Sequence, residues 1–127
     1  MDYILDTHVL LWSMSESGKL SRLSREILVD KKSRRFISVS SIWEIAIKNR
    51  IGKLHLPNGL NGIFSAVEQR GYGIIDIDRP SIEIYNTLPL LHRDPFDGII
   101  IATALVENMT IITADENIQK YDVRWVW

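Results

Sequence analysis

Cysteine is absent from the 127-residue sequence, which excludes disulfides, thiolate zinc sites, iron–sulfur clusters and thiol nucleophiles. Any metal must then be held by oxygen, or by the three histidines His8, His55 and His92. An excess of charge of one sign is also missing. Fifteen basic residues face sixteen acidic ones for a formal charge of −1, so the chain is no polybasic nucleic-acid binder. No apolar run approaches the roughly 20 residues that a membrane helix needs. Met1-Asp2-Tyr3 carries an acid where a signal peptide would carry positive charge. What is present is a globular composition, with 46% hydrophobic and 24% charged residues, in a chain long enough for a buried core. These features predict one soluble, cytoplasmic domain over residues 1–127 with no membrane partner.

Apolar periodicity divides the chain into alternating strands and helices. Tyr3-Ile4-Leu5 is a short strand that runs into Asp6, and His8 to Ser13 reads as a buried helix. Leu20 to Lys32 has Leu20, Leu23, Ile27 and Leu28 at helical spacing. Phe36 to Val39 is a second strand, and Ser41 to Ile51 a helix stopped by Gly52. Pro57-Asn58-Gly59 is a turn before a weaker helix over Leu60 to Arg70. Tyr72 to Ile77 is a third strand, and Pro80 opens a helix that fades before Pro89. Pro95 begins a long apolar helix through Val106. Thr110 to Thr113 is a fourth strand, Glu116 to Gln119 a single helical turn, and Val123 to Val126 a fifth strand. This alternation predicts an α/β fold whose mainly parallel sheet is covered on both faces. Ligands in such folds sit beyond the carboxyl ends of the strands.

Four acids fall at such positions. Asp6 follows the first strand, and Glu44 lies early in the helix after the second. Asp97 sits in the first turn of the helix opened by Pro95, and Asp115 follows the fourth strand; Asp94 is a fifth acid nearby. Each has a local explanation. Ser41-x-x-Glu44 and Thr113-x-x-Glu116 read as capping boxes, and Asp94-Pro95 as an N-cap that puts Asp97 at the capping-box position. Asp6 suits the cap of its helix, and Asp115 the positive end of another. Together, however, parallel topology brings these acids to one sheet edge, where ionised carboxylates repel unless a cation joins them. Hard divalent cations such as Mg²⁺ take carboxylate and water oxygens, orient phosphate and acidify bound water.

The motifs resemble those of PIN-domain nucleases, specifically VapC-type toxins that open with Asp-Thr-His-x-Leu-Leu-Trp. Here that run is Asp6-Thr7-His8-Val9-Leu10-Leu11-Trp12. Ser40 to Lys48 (SSIWEIAIK), His92-Arg93-Asp94-Pro95-Phe96-Asp97 with Ile100 to Ala104, and Thr113-Ala114-Asp115 follow in the family's order. Tyr121-Asp122-Val123, closing at Trp127, is similar to the subgroup's last strand, so the resemblance spans essentially the whole chain. It implies a three-layer α/β/α PIN-like fold and a Mg²⁺- or Mn²⁺-dependent endoribonuclease in which a metal-activated water hydrolyses RNA. Asp6, Glu44, Asp97 and Asp115 are its implied catalytic and metal-binding residues. A homodimer and a small cognate antitoxin are implied as partners. The subgroup usually has arginine after the second aspartate of the third motif, whereas this chain has Gly98, which also costs helix propensity of roughly 1 kcal/mol.

Other residues fill supporting places. Thr7, Thr113 and Asp94 are candidates to support the carboxylates, and Lys48, His92 and Arg93 to bind substrate. The basic run Lys31 to Arg35 reads as a solvated helix end, and Trp12 and Trp43 as core residues. Without the four implied ligands, fifteen basic residues face twelve acidic ones, so a metal-loaded site would attract RNA modestly and in a salt-sensitive way. Three alternatives stand beside the nuclease. One is an aspartate-phosphorylated signalling domain using Asp76 or Asp78, and another a catalytically silent PIN-like RNA-binding module. The third is a metal-free ribonuclease using His8 and His92.

Overall fold

Parallel strands must be joined by crossovers, and in this computed structural model, which describes residues 1–127, every crossover is helical. Strand β1 (Asp2–Leu5) leads into α1 (Thr7–Ser15), a 3-10 turn at Ser17–Lys19, and α2 (Arg22–Val29). β2 (Arg34–Ser38) is followed by α3 (Val39–Arg50) and α4 (Gly59–Gln69). β3 (Gly73–Ile75) precedes α5 (Arg79–Thr87) and α6 (Pro95–Glu107). β4 (Thr110–Ile112), α7 (Glu116–Gln119) and β5 (Trp125–Val126) complete the chain. The five strands pair in the order β3-β2-β1-β4-β5, all parallel. The direction of winding therefore changes between β1 and β4, where ligand crevices form in such sheets.

Side chains alternate across the sheet and divide the core in two. Leu5, Ile37 and Ile112 face Val9, Leu10, Ile45, Ile63 and Val67 on one side. Ile4 and Ile111 face Ile100, Ile101, Ala104 and Ile118 on the other. The result is the three-layer α/β/α arrangement that the alternation implied. No helix is long and apolar enough to cross a membrane.

Several element ends differ from the sequence reading. β2 starts at Arg34, within the basic run, because Asp2 and Tyr3 offer Arg34 and Arg35 backbone partners on β1. Arg34 then pairs with Asp2 at 2.6 Å, while Arg35 donates to the carbonyls of Ile27, Leu28 and Asp30 at the end of α2. α2 is shorter than expected, capped by Ser21 before Arg22, and Leu23 is 44% exposed. α3 begins two residues early because the Ser38 hydroxyl accepts the Ser40 N–H at 3.1 Å. Trp43 is not a core residue: it is 60% exposed and packs edge-on against Phe96, with ring centroids 5.4 Å apart.

Candidate active site

The strand that ends at Leu5 delivers Asp6 to the sheet edge, and α1 turns away at once. Asp6 caps that helix, its Oδ1 accepting the His8 N–H at 3.4 Å. Its Oδ2 accepts the Thr113 hydroxyl at 2.9 Å, which ties the end of β1 to the end of β4. Burial raises the Asp6 carboxyl above its ordinary range, with the charge of Asp115 acting in the same sense and Thr113 and His8 opposing.

Glu44 arrives from the second turn of α3 and is buried. With the helix starting at Val39, the Ser41-x-x-Glu44 capping box does not form. Instead Thr7 donates to Glu44 Oε1 and is hydrogen-bonded to Ser41 Oγ, each at 2.8 Å. Lys48 Nζ pairs with Glu44 Oε2 at 2.9 Å, one turn further along. Thr7 thus orients a carboxylate from the neighbouring helix, while its own helix is capped by Asp6.

Asp94 and Pro95 start α6 as their sequence suggests. Asp94 Oδ1 accepts the N–H groups of Phe96 and Asp97 at 2.9 and 3.3 Å. Asp97, only 6% exposed, turns its Oδ2 toward His92 Nε2 at 3.1 Å rather than back to the cap. His92 is anchored by its backbone N–H, which donates to the Tyr121 hydroxyl at 3.1 Å. Asp115 is half-buried and caps α7 through the Asn117 N–H. Asp115, not Thr113, is the cap there, so the Thr113-x-x-Glu116 box is absent. Thr113 accepts the Asp115 N–H at 3.0 Å while donating to Asp6.

The electrostatics of Asp97 report what these elements bring together. Burial first, then the charges of Asp94, Asp6, Asp115 and Glu44, push its carboxyl up to about 8. The other three sequence-picked acids, with Asp94, therefore all act on Asp97 across the edge. The closest group differs from the implied ligand set. His92, Asp94 and Asp97 each present a ligand atom within 4.8 Å of the others, and Asp6, Glu44 and Asp115 lie outside that trio. The carboxylate oxygens suit a hard divalent cation, and one bound there would offset the burial and repulsion that raise the Asp97 carboxyl. Arg93 is exposed on the approach to α6. His8 lies against Trp12, with ring centroids 5.8 Å apart, and His92 against Asp97, so the two rings have different partners.

Two features escaped the sequence. Tyr121, seen only as part of a terminal strand pattern, holds the His92 loop. Gly98 is not a defect of α6: a Cβ there would collide with the edge of the Tyr85 ring, so glycine lets α5 and α6 pack. A cavity of about 500 Å³ lined by Arg25, Lys31, Arg35 and Arg70 lies by the start of β2, away from the acids. The helices α1, α2 and α4 end there; Arg35 serves the carbonyls of α2 and Arg70 that of Ser13. Arg35 and Arg70 thereby answer the negative ends of α2 and α1.

The PIN domain family profile matches residues 3–124 of the chain. Among solved structures, the chain is similar to VapBC2 from Rickettsia felis bound to a DNA fragment from their promoter. There the identity is 18% and the TM-score 0.77, with 100% of this chain and 99% of that one covered. It is also similar to VapBC-1 from nontypeable Haemophilus influenzae, at 22% identity and a TM-score of 0.71, covering 99% and 97%. A toxin–antitoxin complex from Klebsiella pneumoniae aligns at 19% identity and a TM-score of 0.69, covering 98% and 96%. No curated protein matches by sequence.

Proposed function

The chain belongs to the PIN domain family, and from that premise we propose that it is a metal-dependent endoribonuclease, the toxin of a toxin–antitoxin pair. The observation that carries this reading is the convergence of Asp6, Glu44, Asp94 and Asp115 on Asp97, whose carboxyl its burial and then their charges raise to about 8. Membership of the family favours this reading over a signalling domain, and Asp78 is in any case engaged in capping α5 through the Ser81 N–H.

Asp97 and Asp6, with Glu44, Asp115, Asp94 and His92, would hold a divalent cation, which would supply Lewis acidity toward a phosphate and acidify water at neutral pH. The chain's own groups do the rest. Thr113 and Thr7 fix the orientations of Asp6 and Glu44 from neighbouring elements. Lys48 offers positive charge beside Glu44 for an approaching phosphate. Asp97 and His92 share a hydrogen bond through which a proton can be held or passed at Nε2. The neighbours described as toxin–antitoxin assemblies support a small cognate antitoxin as partner; the homodimer, the cytoplasmic setting and the extent of the PIN domain over residues 1–127 belong to the same proposal.

Cleavage of labelled single-stranded RNA by the purified, antitoxin-free chain tests the reading, with Mg²⁺ or Mn²⁺, with EDTA, and with Asp97→Asn. Cutting that both EDTA and the variant abolish is expected. Cutting that survives EDTA would overturn the metal mechanism and return the chemistry to His92 or His8.

A further inference from the structure

We propose that the cavity beside His92 is a nucleobase pocket, holding one base of an RNA strand whose phosphate lies at the carboxylates. The inference rests on the nuclease reading and adds to it a source of sequence preference. The cavity, about 390 Å³, opens between the end of α5, the loop that joins it to α6, and the first turn of α6. That volume lies within the range of small-ligand sites, ~300–1,000 Å³.

Its position is fixed by shared walls. His92 and Asp94 line the cavity and also belong to the tight group around Asp97, so an occupant lies next to the acidic edge. Its lining selects the kind of occupant. No lysine or arginine lines it, and a carboxylate does, so it is unsuited to a phosphate. Tyr85, Tyr121 and Leu88 offer flat and apolar surface, while the Asn86 amide offers donors and an acceptor on one exposed side chain. Gly98 adds no side chain to the wall, and the Tyr85 ring occupies the space that a Cβ there would need. An aromatic and apolar slot with one amide suits a planar, neutral group with donors and acceptors along its edge. Bases splayed from single-stranded RNA are held in this way, by stacking and by hydrogen bonds to their edges.

Two measurements on the full chain separate this proposal from the reading beneath it. The first is cleavage of a single-stranded RNA library, with the bases around each cut counted for the wild type and for Asn86→Ala. Asn86 is exposed, so its truncation leaves the fold intact. The second follows the Gly98 backbone and Asn86 side-chain amide signals by NMR while adenosine, guanosine, cytidine or uridine is added. A base preference at one position near the cut is expected, weakened about tenfold in the variant. At least one nucleoside is expected to shift the Gly98 and Asn86 signals. Cleavage whose preference is unchanged by Asn86→Ala, or that has no preference, would overturn the pocket and leave the nuclease standing. Nucleoside-dependent shifts without any RNA cleavage would support the pocket and overturn the nuclease. Neither cleavage nor shifts would overturn both.

Discussion

Asp97 ties the stability of the metal-free chain to pH, and the sign follows from where its carboxyl titrates. Burial, then the surrounding carboxylates, raise it to about 8 in the folded chain, against the ordinary 3.8 when unfolded. Between those values the folded chain keeps a proton that the unfolded chain releases. The stabilising contribution is thus complete below about 3.8 and is lost as pH rises through about 8. Asp6, also raised, acts in the same direction. Asp97→Asn in EDTA is therefore expected to melt above the wild type at pH 8 and to flatten its decline between pH 5 and 8. A variant that melts lower across that range would refute this account. Gly98 illustrates how a residue can be misread from sequence alone. Helix propensity predicts that Gly98→Ala gains about 1 kcal/mol. Contact with Tyr85 predicts overpacking, which typically costs about 1–3 kcal/mol. The net expectation is a lower urea midpoint for Gly98→Ala, with stability recovered when Tyr85→Ala is added. Propensity belongs to one residue, whereas this clash needs a ring thirteen positions away, so the sequence could not display it.

Helix ends decide where the acids point, and this is where sequence reading is weakest. Ser38, Ser40 and Ser41 can each cap a helix, and the one that does is Ser38, where the β2–β3 pairing ends. That choice moves Glu44 from the first turn into the second, out of capping range and onto the face that meets α1. Thr7 is then the donor that holds Glu44 Oε1. Groups that orient metal-site carboxylates are commonly worth about 10–100-fold in activity or metal affinity. Thr7→Val should therefore lower RNA cleavage by about that factor, while Thr7→Ser, which keeps the hydroxyl, should retain most of it. Circular dichroism and melting of the two variants would separate orientation from packing. Equal activity in both would mean that Glu44 needs no partner from α1. Elements bounded by strong local signals were legible: Asp94-Pro95 started α6, because Asp94 caps its own backbone, and the Pro57-Asn58-Gly59 turn led into α4. Trp43 was misplaced because its exposure depends on how α3 and α6 pack, which no short-range spacing records.

At the scale of the molecule, legibility came from topology. Alternating strands and helices leave few arrangements besides a parallel sheet with covered faces, and such a sheet gathers strand ends on one side. Asp6 and Asp115 could be placed on that side because each follows a strand of a parallel sheet, whereas the pairing of β1 with β4 was visible only in the structure. The closest trio was harder to see, because His92 reaches Asp97 only through the loop that Tyr121 anchors from the far end of the chain. Acids from several elements meeting at one edge make the apo fold frustrated there, and a bound cation should relieve that strain. A ligand that binds only the folded state at about 100 times its Kd adds about 2.7 kcal/mol of stability. For a chain of this size that corresponds to a rise in Tm of roughly 8–15 °C. Protons compete for the same oxygens, so the rise produced by Mn²⁺ should be larger at pH 8 than at pH 5.5. It should shrink in Asp97→Asn at both values. A shift of equal size at the two pH values, or one that survives the substitution unchanged, would place the cation elsewhere on the molecule and leave the acidic edge without its proposed role.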